Sequence, residues 1–185
     1  LKVYRIPEGE RAARGRPLVN LLQIDQDDQI CAIVSLRELS DNQYLFTATR
    51  LGIVKKTVLS AYQNIRRDGI IALKIHEDDD LIGAAIIDED QDITLVTRSG
   101  RSMRFNEEEV RPMGRVSTGV KGIGLREKDE VVDMVVVSDP DSQLITICEN
   151  GYGKRTNQDE YPRKHRGGVG VIDIKTTDRN GPVVA

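Results

Sequence analysis

Short runs of apolar and β-branched residues alternate with polar turns along the whole chain, and no window shows a sustained helical period. Such runs are typical of β-strands in an all-β protein. Three of them reach a turn glycine and continue into a basic run, and these glycines, Gly52, Gly100 and Gly151, stand at steps of 48 and 51 residues. The recurring order of parts predicts that the chain is built from repeats.

Two further series of residues keep nearly the same period. An aspartate before an apolar run recurs at steps of 49 and 49 residues, and a glycine before a β-rich run recurs at steps of 50 and 49 residues. The members of the two series are Asp80, Asp129 and Asp178, and Gly69, Gly119 and Gly168. Together the series divide a single domain into four units, the first and last incomplete: residues 1–43, 44–91, 92–142 and 143–185.

Each complete unit contains four apolar runs, which predict four short antiparallel strands. In the first complete unit they are residues 44–49, 53–57, 70–75 and 81–87, with one helical turn at residues 60–62. Other predicted strands are residues 1–6, 17–22 and 30–35, and the third runs of the later units, residues 120–125 and 169–174. One small sheet cannot bury both of its faces, whereas radial stacking of blades buries them. We therefore expect an all-β, propeller-like array of about four four-stranded blades.

Charged residues make up 31% of the chain, yet the formal net charge is only -3, so both signs are abundant. Acids and bases gather in separate runs that alternate at the repeat period. If the units fold alike, like charges are brought to like places, and one basic face and one acidic face result.

No apolar run is long enough to span a membrane, and the chain does not begin with a signal peptide. Cys31 and Cys148 lie in apolar runs and are predicted to be small buried residues in a reducing compartment. We therefore expect a soluble, intracellular protein.

The sequence offers little for catalysis or for metal binding. Only two histidines are present, His76 and His165, no serine lies in a nucleophile elbow, and no Cys/His cluster has metal-ligand spacing. The acidic runs lack the central glycine of a calcium loop, and residues 119–124 fit neither nucleotide fingerprint. We expect no catalytic site, no metal and no cofactor in this chain.

Basic residues recur in register with the repeat, which favours binding of a polyanion. A base stands four residues after each turn glycine, and a second basic group precedes or lies within the third run of each unit. Repeated bases on a curved array would form a track for the phosphates of DNA, which gives affinity without base reading; the alternative is that they are ordinary solubilising charges. Seven aromatic residues and no tryptophan disfavour stacking on single strands, so duplex DNA is the expected ligand.

The candidate DNA contacts share this basic character and this register with the repeat. They are Arg14, Arg16, Lys55, Lys56, Arg66, Arg67, Arg101, Arg104, Arg115, Lys121, Lys154, Arg155, Lys164 and Arg166, of which Lys56, Arg104 and Arg155 follow the turn glycines.

Four motifs resemble the C-terminal domain of the bacterial DNA gyrase A protein. They are A-R-G-R-P-L-V-N-L-L at residues 13–22, I-V-K-K-T at 53–57, M-G-R-V-S-T-G-V-K-G-I-G-L at 113–125 and N-G-Y-G-K-R-T at 150–156, in the order of the family and over essentially the whole chain. The resemblance implies a six-bladed β-pinwheel that binds duplex DNA on its outer perimeter and wraps it with positive handedness. In that family the wrapping lets gyrase introduce negative supercoils with ATP.

The hallmark basic box of that family is present only in a degenerate form. Residues 164–170 keep an arginine, the glycine pair and the last glycine of the box, but lack its glutamine and its second base. We interpret this segment as a repeat equivalent of the box that stands in a later blade.

The resemblance also implies partners and a location. The partners would be double-stranded DNA, the N-terminal part of the same gyrase A protein, and gyrase B, in the bacterial cytoplasm with the nucleoid. The DNA-cleaving tyrosine and the sites for ATP and Mg²⁺ would lie outside this chain. The alternatives are the C-terminal domain of the equivalent protein of topoisomerase IV and a propeller used as a protein-interaction scaffold.

Overall fold

The computed structural model describes residues 3–17, 20–22, 30–65 and 69–185. Within them ten strands form: β1 Tyr44–Thr49, β2 Ile53–Val58, β3 Leu81–Ile87, β4 Asp92–Thr97, β5 Arg101–Asn106, β6 Val120–Lys121, β7 Val131–Val137, β8 Gln143–Ile147, β9 Gly153–Asn157 and β10 Val171–Ile172. Single 3-10 turns lie at Val3–Arg5, Leu59–Tyr62, Glu107–Glu109 and Gln158–Glu160. The all-β prediction is confirmed, and so is the predicted helical turn at residues 60–62.

Three antiparallel sheets contain these strands. The first has the order β3-β1-β2-β6, the second has the order β7-β4-β5-β10, and the third contains β8 and β9. A hairpin occupies the centre of each four-stranded sheet, β1–β2 in the first and β4–β5 in the second. The returning strand of the same unit, β3 or β7, pairs with one side of its hairpin.

The strand on the other side of each hairpin comes from the following unit. Strand β6 belongs to unit 92–142, yet it pairs with β2 of unit 44–91, with Val120 opposite Val54. Strand β10 of unit 143–185 pairs with β5 in the same way. The prediction that one unit supplies all four strands of its blade is therefore wrong. Consecutive units exchange a strand and are joined through backbone hydrogen bonds.

Gly52, Gly100 and Gly151 close the three hairpins in the left-handed conformation, at φ of 79°, 80° and 80°. Glycine adopts positive φ without the steric cost that a Cβ atom imposes. Before the first two turns, the hydroxyl of Thr49 or Thr97 accepts the N–H of the first residue of the next strand. This glycine series therefore marks structurally equivalent positions.

The other two series need a correction of register. Gly119 is matched by Gly170, because both have positive φ and both pack closely on a carbonyl group of the preceding hairpin. Asp129 is matched by Asp79, because each carboxylate accepts two backbone N–H groups beside the turn of its own hairpin. The true steps are thus 51 and 50 residues at these positions.

Several predicted strands do not form. Residues 30–35 and 70–75 have no regular structure, residues 3–5 form a 3-10 turn, and residues 20–22 lie in turns, while residues 18–19 are outside the described residues. The runs 120–125 and 169–174 shorten to the two residues of β6 and β10. A third run pairs only with the hairpin of a preceding unit, and the described part of the chain contains no such hairpin for residues 70–75.

Two apolar clusters hold the sheets together. The larger joins the two four-stranded sheets, with the ring centroids of Phe46 and Phe105 6.4 Å apart. The smaller joins the second sheet to the third, where Val96 packs with Cys148. Cys148 is buried as predicted, whereas Cys31 is exposed because its run forms no strand, so the prediction of burial is wrong for Cys31.

Replacing Gly100 by alanine tests how closely consecutive units approach. A Cβ atom at Gly100 would overlap the carbonyl oxygen of Ile174 in the following unit, whereas at Gly151 it would meet nothing within 4 Å, and both glycines have φ of 80°. We expect Gly151→Ala to cost the strain of positive φ, about 1–2 kcal/mol, and Gly100→Ala to cost about 1–3 kcal/mol more from overpacking. Denaturant unfolding measures both losses, and equal losses would contradict the close approach.

Candidate nucleic-acid interface

In each of three units, one segment leads to the exchanged strand, contains it, or stands in the equivalent place without forming a strand. We call these segments the first, second and third connector loops, residues 69–75, 110–124 and 161–170. The second follows the outer edge of hairpin β1–β2, where Met113 N donates to Lys56 O at 2.8 Å. The third follows hairpin β4–β5, where Lys164 N donates to Arg104 O at 2.9 Å. The second and third connector loops therefore lie on the outer edges of the sheets.

The connector loops touch one another in chain order. Lys74 N of the first loop donates to Ser117 O of the second at 3.5 Å. Gly167 N of the third loop donates to Gly122 O of the second at 2.6 Å. The three loops together form one continuous edge, which we call the connector ridge.

Lys55 and Lys56, although predicted to contact DNA, are buried, at 1% and 5% exposure. Lys55 Nζ donates to carbonyl oxygens of both the first and the second connector loops. Lys56 Nζ forms an ion pair with Glu107 of the following unit and lies 4.2 Å from the centre of the Tyr44 ring. Both ammonium groups thus tie consecutive units together. DNA contact by these two residues stays a prediction, and their burial does not favour it.

Arg104 is likewise engaged inside the protein. Its Nε donates to Asp92 Oδ2 at 2.6 Å, and its Nη1 donates to the carbonyl oxygens of Gln158 and Tyr161 in the following unit. Arg163 donates to the same Asp92 oxygen at 2.7 Å, and this hydrogen bond raises the pKa of Arg163. The buried carboxylate of Asp92 is therefore neutralised from two consecutive units.

Three other predicted arginines bind the backbone of neighbouring loops. Arg101, Arg115 and Arg166 each donate to carbonyl oxygens of a connector loop, at distances between 2.6 and 3.1 Å. Lys154 Nζ lies 3.2 Å from the carboxylate of Asp173 in its own unit. These four cations are partly exposed, so each holds a loop while its charge remains near the surface.

Two predicted bases are free on the connector ridge. Lys121 and Lys164 are exposed, and neither side chain makes an ion pair or hydrogen bond within the described part of the chain. Sequence reasoning missed three further exposed bases of the ridge, Lys74, Arg111 and Arg163. Arg111 precedes Pro112 and Arg163 follows Pro162, each shortly after a 3-10 turn, so a base next to this proline is the signal that could have found them.

The remaining predicted bases are not part of the connector loops or lie outside the described residues. Arg155 is exposed on β9, in the last unit of the chain. Arg14 and Arg16 are exposed in the segment 3–17. Arg66 and Arg67 lie outside the described residues.

Many exposed acidic residues lie in the turns at the strand ends. Asp88, Glu89 and Asp90 form the exposed turn after β3, and Asp139 and Asp141 lie in the equivalent turn after β7. The bases of the ridge and these carboxylates thus lie in different elements of the chain, and the separation into one basic and one acidic face stays a prediction.

Within the described ranges, no helix has the length and apolar character needed to cross a bilayer. In the same ranges no group of three or more His, Cys, Asp or Glu side chains is arranged to hold a metal ion. Both histidines are exposed, and His165 Nδ1 lies 3.3 Å from Glu109 Oε1.

The fold defines a propeller-like array in which blades exchange strands and present a ridge of basic loops. A family model described as the DNA gyrase C-terminal domain, beta-propeller, matches residues 43–88, 91–138 and 142–185. The chain belongs to this family.

Relatives and solved structures agree with this membership. Over 184 residues, 100% of this chain, the sequence is 45% identical to the DNA gyrase A protein of Salmonella typhimurium, of which it spans 21%. The crystal structure of the C-terminal domain of DNA topoisomerase IV has a TM-score of 0.85 at 27% identity, covering 91% of this chain and 53% of that chain. A DNA gyrase A C-terminal domain has a TM-score of 0.81 at 26% identity, covering 92% and 57%. The chain thus spans about a fifth of the length of such curated relatives.

Replacing Lys56 by methionine tests the tie between units. The change leaves Glu107 buried without its partner, so we expect the free energy of unfolding to fall by about 3–5 kcal/mol. The double variant Lys56→Met, Glu107→Leu removes both charges and should recover part of that loss. Lys121→Met, at a free exposed base, is the control and should stay within about 0.5 kcal/mol of the unchanged protein. Denaturant unfolding is the measurement, and a Lys56→Met variant as stable as the control would refute the tie.

The buried amine of Lys55 should make stability depend on pH. Burial, and secondly the charge of Arg115, lower the pKa of Lys55 from 10.5 to about 8. Between these values the unfolded chain binds more protons at this site than the folded chain, so the free energy of unfolding rises with pH across that window. The destabilising effect is complete below the folded value and is gone above 10.5.

Melting temperatures of the unchanged protein and of Lys55→Met, recorded from about pH 8 to about pH 10, isolate this contribution. The unchanged protein should gain stability relative to Lys55→Met as the pH rises, because the variant lacks the titrating amine. Parallel curves would show that the pKa of Lys55 is not lowered.

Proposed function

We propose that the chain binds duplex DNA without sequence preference along the connector ridge and wraps it for ATP-dependent negative supercoiling by a gyrase. The observation that carries the proposal is the continuity of the ridge, on which the free bases Lys121 and Lys164 come from adjacent loops. Membership of the gyrase C-terminal family supports it.

The physics of wrapping favours contacts of this kind. Bending 20–30 base pairs by 40–90° costs about 1–6 kcal/mol, so a wrap needs phosphate contacts spread along an arc. Phosphate contacts position the duplex and carry no sequence information directly. A chain of loops from consecutive units supplies such an arc, since every unit adds its own bases.

The exposed cations are the contacts that the geometry supports best. They are Lys121 and Lys164 of the predicted set with the added Lys74, Arg111 and Arg163 on the ridge, and Arg14, Arg16 and Arg155 elsewhere. Arg66 and Arg67 remain candidates from the sequence. Arg101, Arg115, Lys154 and Arg166 add positive charge while they hold loops, and Lys55, Lys56 and Arg104 act in packing between units.

The wider assembly is part of the same proposal. Because relatives of this chain are gyrase A proteins about five times its length, we assign it to the C-terminal part of such a protein. Its partners would be the N-terminal part of that protein and gyrase B, where ATP and Mg²⁺ act, in the cytoplasm with the nucleoid.

The equivalent protein of topoisomerase IV is the second candidate, which the TM-score of 0.85 to a topoisomerase IV domain favours. The full-length enzyme separates the two candidates. Negative supercoiling of relaxed plasmid with ATP would support gyrase, whereas strand passage without supercoiling would support topoisomerase IV. A protein-interaction scaffold, the remaining alternative, would bind no duplex at all.

The binding track is tested with a duplex of about 40 base pairs, long enough to require bending, over a salt series. The double variant Lys121→Gln, Lys164→Gln should bind all sequences more weakly, and its log–log salt slope should fall by about 0.9 for each lost contact. Lys175→Gln removes an exposed lysine that lies outside the connector loops and serves as the control. Equal slopes for the double variant and the control would overturn the ridge as the binding surface.

A further inference from the structure

One acidic residue, Glu109, lies beside the connector ridge, and both oxygens of its carboxylate contact the third connector loop. Glu109 Oε2 accepts the backbone N–H of Arg166 at 2.9 Å, and the Glu109 carbonyl accepts Arg166 Nε at 2.9 Å. Glu109 Oε1 lies 3.3 Å from His165 Nδ1. Arg166 Nη1 then donates to Lys121 O at 3.0 Å, so these contacts link the third loop to the second.

The first and second connector loops are held together by a different side chain. Arg115 stands 51 residues before Arg166, takes the equivalent place, and donates to a carbonyl oxygen of the first loop at 3.1 Å. There Lys55 Nζ supplies the additional tie, because it reaches carbonyl oxygens of both loops. In the next hairpin Met103 occupies the position of Lys55, and its thioether has no proton to donate. Glu109 thus supplies at the second junction what Lys55 supplies at the first.

The clamp formed by Glu109 and Arg166 adjoins both free bases and adds a tie between the loops that carry them. Lys164 is two residues before Arg166, and Lys121 is the residue whose carbonyl Arg166 binds. The Nε and Nη1 groups of Arg166 are occupied inside the protein, which leaves Lys164 and Lys121 as the free lysines of the junction. A loop that is ordered before binding loses less conformational entropy when the ligand arrives.

We propose that Glu109 is a positioning residue for DNA binding: through Arg166 it fixes the third connector loop, which carries Lys164, on the second, which carries Lys121. This inference rests on the proposed function and gives a negatively charged residue a role in the binding of DNA. Electrostatics alone predicts that removing a carboxylate beside a DNA track strengthens binding. The clamp predicts the reverse, so the sign of the effect decides between them.

The test compares Glu109→Gln with Glu108→Gln in this 185-residue chain. Both substitutions remove one negative charge, but Glu108 is exposed and its side chain makes no hydrogen bond or ion pair among the described residues. Glu108→Gln should bind duplex as well as the unchanged chain or slightly more tightly. Glu109→Gln should bind about five- to tenfold more weakly, the equivalent of one ordinary hydrogen bond, with a salt slope lower by about 0.9. The slope is the decisive readout, since a purely structural role in a folded variant leaves the number of phosphate contacts unchanged.

A second pair of variants covers the case in which Glu109→Gln does not fold. Arg166→Lys keeps the cation but cannot bind the carbonyl oxygens of Glu109 and Lys121 together, so it should weaken binding and lower the slope. Lys164→Arg keeps a free cation and should bind as the unchanged chain does. The melting temperature of each variant confirms that it is folded.

The outcomes are separable. If Glu109→Gln behaves as Glu108→Gln does, or if Arg166→Lys binds DNA with unchanged affinity and slope, the positioning role is overturned while the proposed function stands. If the unchanged chain binds no duplex at low salt, the proposed function fails and the positioning role fails with it.

Discussion

The backbone hydrogen bonds between consecutive units are the constraint on which the rest of this structure depends. Because β6 pairs with β2 and β10 pairs with β5, neither four-stranded sheet is complete until the following unit is in place. The exchanged strand must approach the hairpin backbone closely, which explains why Gly119 and Gly170 precede β6 and β10. It also explains why these strands are short, since β6 lies within the second connector loop and β10 continues from the third, along the outside of the hairpins. The ridge is thus a direct consequence of strand exchange.

Strand exchange also explains the structural role of the bases that recur at the repeat period. At the first two junctions, the base four residues after a turn glycine lies on the outer strand of a hairpin, where the following unit covers it. At the first junction Lys56 meets Glu107, and at the second Arg104 meets backbone carbonyls while Asp92 neutralises it. A buried cation must be paired and hydrogen-bonded, so each junction retains a base together with its acceptors. A period in the sequence therefore indicates equivalent positions in the fold, and buried positions recur with the same regularity as exposed positions.

The hairpins and the returning strands could be predicted from the sequence because their signals are local. A turn glycine between two β-rich runs specifies a hairpin, as at Gly100. A seven-residue run such as β7, in which six residues are apolar, predicts a strand without any knowledge of its partner. The exchange of β6 and β10 could not be predicted, because the sequence of an apolar run does not indicate which strand it pairs with. The same limit applies to Lys55 and Lys56. Like the exposed Lys121, they are lysines that closely follow a glycine in a β-rich run. Only the position of the next unit distinguishes the buried lysines from the free one.

The distribution of charge explains how a chain of net charge -3 can present a basic surface, which the proposed binding of DNA requires. Buried pairs such as Lys56 with Glu107 remove one charge of each sign from the surface and leave the balance unchanged. Carboxylates in the turns, such as Asp88, lie outside the connector loops, and at physiological salt their repulsion is largely screened beyond about 8 Å. Glu109 lies beside the ridge, but its contacts with Arg166 offset its charge. The ridge is therefore basic because of where the fold puts each charge, and the total charge of the chain does not decide the sign of its ligand.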